Sequence, residues 1–148
     1  MGFIKGTKVT LGAPAVVSNV NFYSHAAAGQ LRLGIYDNGS PKNLLWQSGS
    51  LANTAAGAWL SAPVGSGAPA TLTLDAGTYW MAWQTDATAD VPGYTAGSAG
   101  DGFVVSRPFG PFPAALGAAE LTAERWSLYL DNAAQRNGVK DFNRYPAD

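Results

Sequence analysis

The sequence predicts an all-β chain: a two-sheet antiparallel β-sandwich, of jelly-roll type, with at most one short helical turn. Three observations point there. Residues 70–85, ATLTLDAGTYWMAWQT, hold two alternating apolar runs hinged on Asp75-Ala76-Gly77. Similar short runs, about eight in all, recur along the chain with turn residues between them. Glycine and proline, 18 and 9 of the 148 residues, suit a fold of short strands and many turns.

In chain order, residues 16–24 alternate in outline through Val16, Ser18, Val20 and Phe22. LRLGIY at 31–36 places Leu31, Leu33 and Ile35 on one face and Arg32 and Tyr36 on the other. DNGSPKN at 37–43 is a turn, and short strands follow at 44–48 and 59–63. At 70–85, Leu72 and Leu74 point away from Thr71 and Thr73. Tyr79, Met81 and Trp83 then alternate with Trp80, Ala82 and Gln84. The Gly-containing hinge predicts an antiparallel hairpin with one buried face. Strands at 102–107 and 125–130 complete the set. In the last, Trp126, Leu128 and Leu130 face in while Ser127 and Tyr129 face out. Residues 114–124, AALGAAELTAE, favour helix, but Gly117 interrupts them, so at most a single helical turn is expected there. The small-residue stretches 61–70 and 87–102 read as loops. One sandwich domain over 1–130 is expected, then a polar C-terminal tail over 131–148 that lies on the surface or docks on a neighbour.

Composition narrows the function. Hydrophobic residues make 47% and charged residues 13%, which excludes a disordered charged segment. A net charge of −1 supplies no basic field for a nucleic-acid backbone. No apolar run approaches the roughly 18 residues of a membrane helix. MGFIKGTKVTLG lacks a signal-peptide core, and Gly6 spoils the myristoylation pattern after Gly2. With no cysteine there is no disulfide, thiolate metal site or Cys nucleophile.

The segments LRLGIYDNGSPKNLLWQSG (31–49), the Trp59 strand, LTLDAGTYWMAWQT (72–85), PFGPFPAAL (108–116) and RWSLYL (125–130) span about two-thirds of the chain. In that order they resemble a jelly-roll-like β-sandwich module recurrent in bacterial secreted and surface proteins and in phage virion proteins. The resemblance implies a sandwich that serves as a glycan-binding, adhesive or structural appendage. One departure is the turn DNGSPKN, which in such modules carries more glycine and acid.

No catalytic constellation emerges. His25 is the single histidine and no G-x-S-x-G elbow occurs, so it reads as a strand-end residue without a catalytic role. Glu120 and Glu124, the two glutamates, are four residues apart and read as solvated charges rather than a glycosidase pair. No phosphate-cradling glycine loop is present. No cofactor is expected. Asp37, Asn38, Asp86, Asp90 and Asp101 lie in loops where calcium could collect oxygen ligands, although no EF-hand spacing is found.

Aromatic residues make 11% of the chain and carry the binding expectation. Trp83 and Trp126 share the apolar phase of their strands. Trp80 is in the opposite phase, beside Gln84 and within reach of Arg32, Tyr36 and Tyr129 on neighbouring strands. An outward contact face of Trp80, Tyr36 and Tyr129, with Arg32 and Gln84 as polar partners, is one reading; the other is that a loop or the C-terminal tail covers the Trp80 ring, since large rings often pack under loops. Phe109 and Phe112, held among prolines in RPFGPFP, form a second candidate contact loop. Two functions fit. The first is a non-catalytic virion structural protein, a capsid decoration or appendage subunit docking on protein neighbours or on copies of itself. The alternative is a carbohydrate-binding module of a secreted or cell-surface protein.

Overall fold

The computed structural model describes residues 2–87, 94–133 and 141–142, and every described element but one is a strand. The larger sheet is built on β1 (Phe3–Leu11), β3 (Gln30–Asp37) and β8 (Gly77–Thr85), with β8 paired antiparallel to both β1 and β3. Outside β3 come β4 (Lys42–Gln47), β5 (Leu51–Ala52) and, against β4, β11 (Ala115–Leu116). Outside β1 come β10 (Gly102–Ser106) and then β12 (Glu120–Thr122). The smaller sheet centres on β2 (Ala15–Ser24), flanked by β6 (Ala58–Pro63), β7 (Thr73–Leu74) and β14 (Leu128–Asn132), with β15 (Asp141–Phe142) beyond β14. A ribbon of β9 (Tyr94–Ala96) and β13 (Glu124–Trp126) completes the set.

The two sheets form a β-sandwich around one large core. Val9, Leu31, Leu33, Ile35, Trp46, Met81 and Trp83 come from the larger sheet. Val17, Val20, Phe22, Ala62, Leu74, Leu128 and Leu130 meet them from the smaller one. Trp83 and Trp126 lie in this core as their phase predicts, with ring centroids 5.1 Å apart and Lys5 Nζ within 6 Å of both rings.

The larger sheet must curl. β11 and β12 lie at opposite ends of its seven-strand path, yet three residues separate them. Four peptide steps reach at most about 14 Å, whereas seven flat strands would span about 29 Å. The sheet therefore bends into a half-barrel, and its concave side holds a second core of Ile4, Tyr36, Trp80, Ala82, Phe103, Phe112 and Leu116. Gly6, Ala82 and Gly34 sit side by side across β1, β8 and β3. A Cβ at Gly6 would enter the Phe103 ring, and one at Gly34 the Phe112 ring. This row of missing side chains is what lets two phenyl rings lie inside the curl.

One local expectation changes. Residues 70–85 are not a hairpin: β7 pairs with β2 in the smaller sheet, while β8 pairs with β1 and β3. Asp75-Ala76-Gly77 is a corner between sheets, where Gly77 takes φ +152°, a value L side chains rarely adopt. Leu72 and Leu74 thus reach the core from the sheet opposite Met81 and Trp83. The helical tendency of 114–124 is overridden by ladder pairing in β11, β12 and β13. The one helical turn described is the 3-10 turn Val64–Ser66. At the C-terminal side, Asp131 and Asn132 continue β14 against β2, and Asp141 and Phe142 pair with β14.

Candidate functional site

The predicted contact residues are divided among three places. Trp80, Tyr36 and Gln84 share the outward phase of the larger sheet, but that face is covered, and Phe112 belongs to the segment that covers it. Residues 107–114 run across it as a strap, and side chains from three strands bond to its backbone. Gln84 Nε2 donates to the Arg107 carbonyl at 2.7 Å, and the Gly110 amide donates to Gln84 Oε1 at 3.3 Å. Gln47 Oε1 accepts from the Phe112 amide at 2.9 Å, and the Tyr36 hydroxyl donates to the Pro113 carbonyl at 2.7 Å. Trp80, 3% exposed, donates its Nε1–H to Asn38 Oδ1 at 2.8 Å and meets Phe103 edge-on. Lys8 and Lys42 lie within 6.0 Å of its ring centroid. Burial pushes the Tyr36 phenol well above the usual tyrosine range, against a lowering pull from Arg107. These residues form a second core and its anchor points beneath the strap.

Arg32 and Phe109 form a separate pair at the edge of the strap, the guanidinium 5.5 Å from the ring centroid. Tyr129 is on the other sheet altogether.

There it joins residues in the outward phase of the smaller sheet. Val20 and Phe22 point into the core, so Asn19, Asn21 and Tyr23 of β2 point out. β6 adds Trp59, Ser61 and Pro63, and β14 adds Tyr129 and Asp131. Tyr23 is directly opposite Trp59, and their rings cross at 70° with centroids 5.3 Å apart. Trp59 also meets the Tyr129 ring at 4.8 Å and 80°, although β2 separates their strands. The indole therefore reaches across β2, since two strand spacings are nearly 10 Å. All three rings are half-buried, and exposed His25 meets Tyr23 edge-on at 5.1 Å.

Beside the rings lies a polar ladder. Asn19 and Asn21 donate their side-chain amides to Asp131 Oδ2 at 3.3 and 3.1 Å, and Ser61 Oγ donates to Asn21 Oδ1. Asn21 is fully buried and bonded on both sides, so it sets the spacing of its neighbours. Three aromatic rings beside the Asp131 carboxylate and the Asn19 amide, with buried Asn21 between them as a spacer, make a surface able to stack on the apolar face of a sugar ring while bonding its hydroxyls. Tyr23 and Trp59 are the residues that sequence reasoning passed over. Their signal was present, because Asn19, Asn21 and Tyr23 alternate strictly with Val20 and Phe22.

The loop carboxylates are engaged by the protein itself. Asp37 accepts from the Gly39 and Asn43 amides, and Asp86 from the Gln30 amide. Asp101 accepts from the Ser98 amide at 2.8 Å and from Arg125 Nε at 2.7 Å, which hold its carboxyl below the usual range. Asp90 lies outside the described residues. Among the described residues, no group of three or more His, Cys, Asp or Glu is placed to hold a metal ion, and no helix is long and apolar enough to cross a membrane.

No family model, curated protein or solved structure matches this chain.

Proposed function

We propose that this chain is a non-catalytic binding β-sandwich whose ligand is a glycan, held on the outward face of the smaller sheet. The observation that supports it is the Tyr23–Trp59–Tyr129 ring cluster set against the Asn19–Asn21–Asp131 ladder. Ring faces supply apolar contact, and the Asp131 carboxylate and Asn19 amide, held in place by buried Asn21, supply direction. Such a module belongs to a secreted or cell-surface protein or to a virion appendage, in keeping with the resemblance of segments 31–49, 72–85 and 125–130.

A virion structural subunit docking on protein neighbours is the second reading. It is favoured by Phe3, 49% exposed, which with Lys5, Val104, Thr122 and Glu124 lines a shallow depression of about 170 Å³.

Native affinity electrophoresis against plant and bacterial polysaccharides separates the two. Retardation of the wild-type chain that is lost in Trp59→Ala supports the glycan reading. Free migration through every polymer rejects it in favour of the protein-docking subunit.

A further inference from the structure

We infer a second, acidic-sugar site on the larger sheet, centred on Arg32 and independent of the aromatic face. Arg32 projects from β3 into a groove of about 360 Å³ formed with Gln47, Ser48 and Gly49 at the end of β4, Ser66 to Ala68 after the 3-10 turn, and Pro111 of the strap. That volume falls within the range of small-ligand sites.

The guanidinium is incompletely satisfied. Its Nε is shielded from solvent and has no hydrogen-bond partner. Among the described residues no carboxylate lies within ion-pair distance of it, whereas Arg125 is paired with Asp101. Among the described residues its terminal nitrogens have no hydrogen-bond or ion-pair partner either, so the outer end of the fork is left for an anionic ligand. The guanidinium's orientation is already set by the Phe109 ring beneath it.

A carboxylate fits the outer end of the planar fork, accepting from the two terminal nitrogens in parallel. The remaining walls suit a sugar body. Gln47 Oε1 is taken by the Phe112 amide, which leaves the Gln47 carboxamide N–H groups as donors. Ser66 adds a hydroxyl, the glycines open the floor, and Pro111 offers an apolar side. The expected ligand is therefore a uronic-acid-type residue, the carboxylate on Arg32 and the ring hydroxyls toward Gln47 and Ser66.

The test is a two-dimensional NMR titration of the wild-type chain with glucuronic acid, and with glucose in parallel, reading the Arg32 Nε–Hε resonance and the Gln47 side-chain amide. Glucuronic acid should shift both, glucose neither, and Arg32→Lys, which keeps charge and stem but not the fork, should weaken the response at least tenfold. Resonances that stay still under glucuronic acid, or that move equally with glucose, overturn the proposal. So does an unchanged Gln47 response in Arg32→Lys. Because Trp59 has no part in this groove, the result stands or falls separately from the glycan reading of the smaller sheet.

Discussion

At the residue scale, the molecule turns on side chains that are missing as much as on those present. Gly6 and Gly34 make room for Phe103 and Phe112. Alanine at either position forces a ring to move within a closed core, at a cost of about 1–3 kcal/mol. For a chain of this size that is a fall in melting temperature of roughly 2–4 °C per kcal/mol, and thermal unfolding of Gly34→Ala measures it directly. Trp80→Ala should cost about 3–5 kcal/mol, because the ring is core. Trp59→Ala should cost much less and, on the proposed glycan reading, should abolish polysaccharide retardation. Asp101 gives the chain an acid-sensitive contact. Its folded pKa is lowered, chiefly by the Ser98 amide and then by Arg125. The contribution is therefore full above the unfolded value of about 3.9 and is lost as pH falls through the folded value. Urea unfolding between pH 5 and pH 2 should show a shallower decline in Asp101→Asn than in the wild-type chain.

At the element scale, the strap explains why outward-phase polar residues are buried. Gln84 and Gln47 answer backbone groups of a proline-rich segment that cannot enter a ladder. Replacing Gln84 with Ala removes two of those bonds and should cost about 1–3 kcal/mol. Amide hydrogen exchange should locate the effect: Gly110 and Phe112 lose protection, while amides of β2 and β14 keep theirs. The strands themselves were legible. Alternation placed β2, β3, β6, β8 and β14 close to their observed positions, and it assigned Leu33, Met81, Trp83, Leu128 and Leu130 to the core correctly. Alternation reports which way a side chain points, not what waits on that side, so on its own it left both an open and a covered Trp80 face standing. Pairing was hidden. The hinge at Asp75-Ala76-Gly77 reads as a hairpin turn by its residues and acts as a corner, because Leu72 and Leu74 find better burial across the core.

At the scale of the whole molecule, the least legible element is among the most important. β1 reads as FIKGTKVTL, with lysines and a glycine where a central strand usually shows apolar residues. It nevertheless lies between β8 and β10, burying Ile4 and Gly6 on one side and Val9 and Leu11 on the other. Deleting residues 1–11 should leave a chain without cooperative unfolding, since β8 and β10 would lose their shared partner. The curl that β1 helps form divides the molecule's work. The concave side is filled and strapped, so it holds the fold together, while on the proposed reading the smaller sheet carries the ligand face of Tyr23, Trp59 and Tyr129. The most direct test of that division is a two-dimensional NMR map of the wild-type chain titrated with neutral oligosaccharides cut from a polysaccharide panel. Binding at the aromatic face moves the Trp59 indole Nε1–Hε1 signal and the amides of Asn21, Tyr23 and Tyr129, with the Trp80 indole unmoved. A map in which no oligosaccharide shifts Trp59, or in which the shifts centre on the strap, contradicts it.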